Sequence, residues 1–185
     1  DSWSKDMGVP VGTGNGRLNV GGISVVVAAQ FTRPADATQY TANDVVSDST
    51  AAGHPVVFAD CARFAGGTGI IYSALMLDSV DAVTNPNFDL VLFDTANLTI
   101  AADNAAGTIT DTELLRCVAA ITFNGTDSTN VATVGANLII KATNIGQAFK
   151  CADGARNLYG VVIDRGAYTP ASAEVFRFQL AILQD

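Results

Sequence analysis

The sequence predicts an all-β fold: an antiparallel β-sandwich of jelly-roll-like form with an extended N-terminal arm. Three observations predict it. Short apolar segments are separated by residues that favour turns, the last segment alternates with a period of two, and helix-favouring charged residues are scarce. Of the 18 acidic residues only Glu113 and Glu174 are glutamates, and lysine is nearly absent. Aspartate favours turns, whereas glutamate and lysine favour helices.

The clearest strand pattern lies in residues 175–183. Large apolar side chains recur there at every second position, and they are Phe176, Phe178, Leu180 and Ile182. A period of two places these side chains on one face of a strand, whereas in a helix they would spread around the axis. We therefore expect a strand with one face in the core.

Seven further segments have the length and composition of strands. They are residues 23–31, 56–63, 70–77, 88–93, 114–123, 138–142 and 159–163. The fifth of the eight segments in chain order, residues 114–123, is expected to begin with a short helical turn that Asp111, Thr112 and Glu113 cap. Asn124-Gly125 predicts a hairpin. About eight short strands without an amphipathic helix predict a sandwich or a barrel. Jelly-roll and immunoglobulin-like layouts both remain open at this point.

The chain divides into an arm, residues 1–22, and a body, residues 23–185. Six glycines and Pro10 leave the arm with no helical period and little side chain to pack. In the isolated protein a frayed terminus is the alternative interpretation. We expect the apolar side chains of the arm, and one residue of the body, to contact a partner. The candidate partner-binding residues are Trp3, Met7, Val9, Val11, Leu18 and Arg33.

Composition excludes several functional classes. Hydrophobic residues make up 49% of the chain and charged residues 15%, which indicates surface hidden in a core or against neighbouring subunits. The net charge of −8 disfavours contact with phosphate, so we expect no nucleic-acid partner. No apolar run is long enough to span a bilayer, and we expect no membrane partner. The first residues lack the pattern of a signal peptide, and three scattered cysteines predict free thiols made in a reducing cytoplasm.

No pattern for catalysis or cofactor binding stands out. His54, the single histidine, lies in a turn, and no Gly-x-Ser-x-Gly motif accompanies it. One histidine and three separated cysteines do not match a zinc site, and the glycines of the arm lack the Gly-Lys-Ser/Thr ending of a phosphate-binding loop. Residues 103–113 match a calcium loop poorly. We expect no enzyme activity, no cofactor and no metal, although calcium between loop aspartates such as Asp78 and Asp81 remains open.

Two stretches carry a family resemblance. Residues 31–40, with the sequence Phe-Thr-Arg-Pro-Ala-Asp-Ala-Thr-Gln-Tyr, are followed by Asn-Asp-Val-Val at 43–46 and Ser-Thr-Ala at 49–51. This region resembles a segment that recurs in structural proteins of tailed bacteriophages. Residues 66–71 and 85–94 resemble the downstream hairpin and strand of the same proteins. Independently of the resemblance, Pro34 favours an extended Arg33, and Asp36 can form an Asx turn and pair with Arg33.

The resemblance implies a protein that decorates or cements the phage head, or less often a tail part, and it implies no catalytic residues. We therefore expect a capsid decoration protein, made in the host cytoplasm, that sits on the outer surface of the head. It would bind the major capsid protein, bridge neighbouring capsid subunits and associate with itself as a homotrimer. The alternatives are a tail, baseplate or fibre component and a carbohydrate-binding module, although the latter would need more exposed aromatic residues.

Overall fold

The computed structural model of the protein describes residues 22–80 and 84–185. Within them the chain forms ten strands and one four-residue helix. The strands are β1 (Ile23–Thr32), β2 (Val45–Val46), β3 (Val56–Phe58), β4 (Thr68–Asp78), β5 (Asn87–Phe93), β6 (Cys117–Asn124), β7 (Val131–Val134), β8 (Asn137–Lys150), β9 (Leu158–Asp164) and β10 (Val175–Gln184), and the helix is α1 (Asp111–Leu114). The predicted all-β class is confirmed.

The strands pair in a nested order. β1 pairs with β10, β2 and β3 pair with β9, β4 pairs with β8, and β5 pairs with β6, all antiparallel. The chain therefore resembles one long hairpin that has folded over on itself. It forms a first sheet in the order β1-β10-β4-β8-β7 and a second sheet in the order β2-β9-β5-β6, with β3 also on β9. This is the jelly-roll arrangement, and it excludes the immunoglobulin-like layout that the sequence left open.

The core lies between the two sheets and is rich in phenylalanine. The four alternating residues of β10 point inward and are 0% exposed, as their period predicted. Phe88 of the second sheet meets Phe176 edge-on, with ring centroids 5.1 Å apart. Phe123 packs on Phe178 with the rings tilted by 56° and their centroids 5.6 Å apart. Full burial of each such side chain stabilises the fold by about 1.5–3 kcal/mol, so the aromatic contacts hold the two sheets together.

Several predicted segments differ in length from the strands. The segment predicted for residues 56–63 is a strand only over Val56–Phe58, and β2 and β7 were not predicted. β8 is far longer than residues 138–142, because it continues through an irregularity where its pairing with β4 shifts register. Asn144 and Gly146 have positive φ angles of 58° and 62° at that place. Such irregularities interrupt the period of two and hide the strand from pattern analysis.

The prediction of a hairpin at Asn124-Gly125 is wrong. β6 ends at Asn124 and pairs with β5, whereas the next strand, β7, pairs with β8 in the other sheet. The Asn124 Oδ1 atom accepts a hydrogen bond from the Thr126 amide at 3.0 Å, which is the local turn that asparagine favours. The segment therefore carries the chain between the two sheets. A two-residue hairpin instead joins β7 and β8, and its first residue, Gly135, has a φ of 67°.

The short helix before β6 has a complete capping box. The Thr110 hydroxyl accepts from the Glu113 amide at 3.3 Å, and Glu113 Oε2 accepts from the Thr110 amide at 2.7 Å. The predicted helical turn is confirmed, with Thr110 as its N-cap. In the described part of the chain, no helix has the length and apolarity to cross a membrane.

We expect Gly160→Ala to destabilise the protein by about 1–3 kcal/mol, because an added methyl group would overpack the core. A Cβ atom at Gly160 would lie 2.7 Å from Leu90 Cδ1 and 3.1 Å from Phe58 Cε2. Gly166→Ala is the matched control, since nothing lies within 4 Å of its Cβ position. Chemical denaturation of both variants measures the difference. Equal midpoints for the two would contradict this packing.

Candidate assembly surface

The outward side of the second sheet is covered by the chain itself. Residues 94–116 leave β5 and cross this side before β6 begins. Ile100 packs there in a small second core with Val45, Phe93 and Val161, and each of these four residues is at most 6% exposed. The apolar side chains that the second sheet turns away from the main core are thus largely removed from water.

The cover leaves a shallow apolar groove of about 290 Å³, lined in part by Val91, Ile109 and Leu114. Beside it, Leu114 at the end of α1 and the next residue, Leu115, are 56% and 85% accessible. The groove is small, and it belongs to the second core. Most of this side is therefore closed.

The outward side of the first sheet has no such cover among the described residues. We call this surface the bare face. Its members alternate with the core residues of β1, β4 and β10, and they are Val26, Ala28, Ile70, Tyr72, Leu75, Ala181 and Leu183. Register places Val26 opposite Ala181 and Leu183 opposite Ile70, so these side chains form adjoining rows. Val26 is 66% exposed. A contiguous exposed apolar patch of this kind marks an interaction surface.

Charge is sparse on the first sheet and has one sign on its outward side. The charged residues in its five strands are Asp78, Lys141, Lys150 and Arg177. Asp78 points inward and is 1% exposed, so the outward side presents cations and no carboxylate from these strands. The chain as a whole has a net charge of −8. Most of the negative charge of the chain therefore lies outside the strands of this sheet.

One polar contact lies on the bare face. The hydroxyl groups of Ser24 on β1 and Tyr72 on β4 are 3.0 Å apart, above the intervening strand β10. The small side chain of Ala181 on β10, opposite Val26, leaves room for the ring. This contact fixes the only aromatic ring among the bare-face residues named above.

Arg33, the candidate partner-binding residue in the described chain, lies inside the body. Its side chain is 0% exposed, and its Nη2 atom lies 2.7 Å from Asp103 Oδ2. It also donates to the Tyr40 hydroxyl, which in turn donates to Asp103 Oδ1 at 2.6 Å. Arg33 therefore stabilises, from within the body, the segment by which the chain leaves β1. The remaining candidates, Trp3, Met7, Val9, Val11 and Leu18, lie outside the described residues and stay predictions, as does the arm.

The local geometry predicted around Pro34 is confirmed. Asp36 Oδ1 accepts from the Thr38 amide at 3.0 Å, which forms the expected Asx turn. The same oxygen lies 3.5 Å from Arg33 Nη2. The sequence analysis did not find the stronger partner, Asp103, because 70 residues separate it from Arg33.

A second buried polar cluster lies near the start of β10. The Tyr168 hydroxyl donates to Glu174 Oε1 at 2.6 Å and lies 3.5 Å from Asp78 Oδ2. Burial, together with the hydrogen bond and charge of Glu174, raises the pKa of Asp78 above its usual range. Asp78 and Glu174 are each 1% exposed, so these carboxyl groups are withdrawn from solvent. The Asp78 side chain therefore has an internal partner, while Asp81, its suggested companion in a calcium site, lies outside the described residues.

The other residues that could take part in catalysis or metal binding do not lie together in one site. His54 is an exposed loop residue whose Nδ1 atom lies 3.0 Å from Asp48 Oδ2. Burial raises the pKa of the Cys61 thiol to about 12 and that of Cys151 to about 11, so both stay protonated and unreactive. All three cysteines, Cys117 included, carry free thiols. Within residues 22–80 and 84–185, no group of three or more metal-binding side chains is placed to hold a metal ion.

The Asp103→Ala substitution should destabilise the protein by about 3–5 kcal/mol, because it removes the closest carboxylate from the buried Arg33 and leaves only the longer contact to Asp36 at 3.5 Å. Asp153→Ala removes an exposed ion pair with Lys150, and the unfolding midpoint should stay unchanged. A double variant, Arg33→Met with Asp103→Leu, removes both charges and should recover much of the loss. Denaturant unfolding measures all three variants. A single Asp103→Ala variant as stable as the wild type would refute the role of this pair.

Asp164→Asn should raise the thermal midpoint at pH 8 more than at pH 4. Burial raises the pKa of Asp164 to about 6, with a further contribution from the charge of Asp44, and its Oδ1 atom has no hydrogen-bond partner. The stability contributed by the neutral carboxyl is complete below pH 3.8 and is lost as the pH rises through about 6. Asparagine stays neutral throughout. If the midpoint difference between the variant and the wild type is the same at pH 4 and pH 8, the carboxyl is not held neutral.

Comparisons with known proteins give only distant likenesses. No family model and no curated protein matches the chain. Among solved structures, the capsid asymmetric unit of cyanophage Pam1 is 12% identical with a TM-score of 0.35, over 93% of this chain and 92% of that chain. The vertex protein P5 of PRD1 is 13% identical with a TM-score of 0.34, over 85% and 96%. A Clostridium thermocellum xylanase with CBM22-1 and GH10 modules is 10% identical with a TM-score of 0.34, over 88% and 28%. The fold assignment rests on the strand order and not on these likenesses.

Proposed function

We propose that this protein is a structural, non-enzymatic component of a bacteriophage particle that decorates the capsid and stabilises the shell. In this proposal the bare face binds the outer surface of the head, and the major capsid protein is the partner. The observation that carries the proposal is the contrast between the two sheets. Residues 94–116 cover the outward side of one sheet, and the described part of the chain leaves the outward side of the other exposed.

The chemistry of the bare face suits a protein partner. Leu75, Ile70 and Leu183 are each 36–41% exposed, and burying them against another subunit would remove apolar surface from water. The outward cations Lys141 and Arg177 lie beside this apolar area, so an acidic rim on the partner would complement it. The overall charge of −8 remains unsuited to nucleic acid.

The phage setting is supported by the sequence resemblance over residues 31–94. The first resembling segment contains Arg33 and Tyr40, which form the buried network with Asp103. The resemblance thus falls on residues that the fold uses internally. Assembly into a homotrimer remains part of the proposal, because a closed ring buries apolar surface with a single repeated contact.

Leu75→Lys should weaken binding to heads by at least tenfold, because a lysine at the centre of an apolar contact must lose its hydration on binding. Leu115→Lys is the matched control, since Leu115 directly follows α1 beside the second sheet and is already 85% exposed. The experiment adds each purified protein to phage heads depleted of it. It measures the bound amount and the temperature at which the heads rupture.

The wild type and Leu115→Lys should both restore the rupture temperature, and Leu75→Lys should not. Equal binding by all three proteins would exclude the bare face as the contact. If the wild type binds only to tails, the protein is a tail component. Binding to an immobilised polysaccharide instead of to particles would favour the carbohydrate-binding module.

A further inference from the structure

We infer that the free edge of β1 is a self-association site, where β1 of a second copy of this chain adds as an antiparallel strand. β1 is hydrogen-bonded on one side, to β10, and no described strand pairs with its other side. Every second residue of an antiparallel edge strand turns its backbone N–H and C=O groups to the free side, where they have no strand partner. The inference is independent of the proposed binding to the head, and it is an alternative to the proposed homotrimer, because a two-fold contact closes on two copies and a ring of three needs a different contact.

β1 lacks the features that usually protect an edge strand. It is ten residues long, Ile23–Thr32, and contains no charged residue and no proline. Its pairing with β10 runs without a register shift from one end to the other, so no bulge twists it away. Long, regular, uncharged edges of this kind readily accept another strand.

The other edge strands of the molecule differ from β1. β7, at the opposite edge of the first sheet, has only four residues. β6, at the edge of the second sheet, has eight residues, and its pairing with β5 contains a register shift, whereas β2 and β3 at the other side have two and three residues. β1 is therefore the longest and most regular edge available for pairing among the described residues.

A second copy of β1 brings no like charge to the contact, and its side chains fit those of the first in size. In an antiparallel pair about a two-fold axis, residues that face the same side lie opposite each other. With Val27 on the axis, Val26 lies opposite Ala28 of the second copy, and Val25 lies opposite its Ala29. Each pair combines a larger with a smaller side chain, and no like charges meet because β1 has none. The two bare faces would then join into one surface on the same side of a continuous sheet.

The charge of the whole chain sets the conditions for pairing. Two copies with a net charge of −8 each repel one another at long range. At about 0.15 M salt this repulsion is screened beyond roughly 8 Å, whereas contacts between uncharged strands are unaffected. Pairing through β1 should therefore strengthen as the salt concentration rises, which is opposite to the behaviour of a contact held by ion pairs.

Ala28→Lys tests the edge, because it places a charge on an exposed position of β1 without touching the core. Sedimentation of the full-length protein over a range of concentrations should show self-association for the wild type. Ala28→Lys should raise the dissociation constant at least tenfold, and mixing it with Ala28→Glu should restore association. Thr133→Lys, on the exposed opposite edge strand β7, should behave like the wild type, as should Leu75→Lys on the bare face.

Ala28→Cys gives a second measurement, which does not require the number of chains in the assembly to be known. Paired strands bring opposite Cα atoms to about 4.5–5.5 Å, which suits a disulfide. Mild oxidation of a mixture of Ala28→Cys and Val26→Cys chains should link one chain of each kind, because these two positions lie opposite each other, and Thr133→Cys chains should remain unlinked.

Three results would overturn the inference. One is association that Leu75→Lys abolishes and Ala28→Lys preserves, which would assign the contact to the bare face. Another is association that appears only after residues 1–21 are removed, which would mean that this segment occupies the edge. The third is a wild type that stays unassociated at high salt and high concentration. None of these results depends on whether the protein binds phage heads, so the proposed function fails or stands separately.

Discussion

The buried ion pair between Arg33 and Asp103 constrains most of the loop structure of this protein. Arg33 stands directly after β1, and Asp103 lies in the segment that covers the second sheet. Tyr40 bridges the two, and the Ser47 amide donates to Asp103 Oδ1 at 2.8 Å. One guanidinium thus joins the exit of the first sheet to the cover of the second. A charge withdrawn from water is tolerated only where such partners are fixed, so the segments that supply them must keep their positions.

This constraint explains why the two outward sides of the sandwich differ. The cover over the second sheet is held from below by Ile100 in the small apolar core and from the side by Asp103 in the ion pair. No comparable anchor is found over the first sheet in the described residues. Among the described residues, the chain therefore buries the outward side of the second sheet and leaves that of the first sheet exposed.

The sequence predicted the elements whose evidence is local. The alternation in β10 and the helical turn before β6 need only a few neighbouring residues to be recognised, and both are present. The signal at Asn124-Gly125 is equally local, but its asparagine makes a turn that connects sheets and not paired strands. A turn motif specifies a change of direction, and the pairing on either side depends on residues far away in the chain.

The candidate assembly surface could not be predicted from the sequence for the same reason. Arg33 looked like a surface residue because its main partner, Asp103, is distant in sequence. The bare face combines residues from β1, β4 and β10, and no single strand shows it: the outward positions of β10 alone include Arg177 and Gln179. Only the registers that place Val26 beside Ala181, and Leu183 beside Ile70, turn scattered apolar residues into one surface.

The nested pairing also has a consequence for synthesis. β10 lies between β1 and β4, so these two strands of the first sheet meet only through the last strand of the body. While a ribosome is still making the chain, β1 can emerge well over a hundred residues before its partner does. The first sheet must therefore complete itself after β10 has left the exit tunnel, and until then the uncharged segment β1 is exposed to other nascent chains. For this architecture, the period on the ribosome is when protection by chaperones matters most.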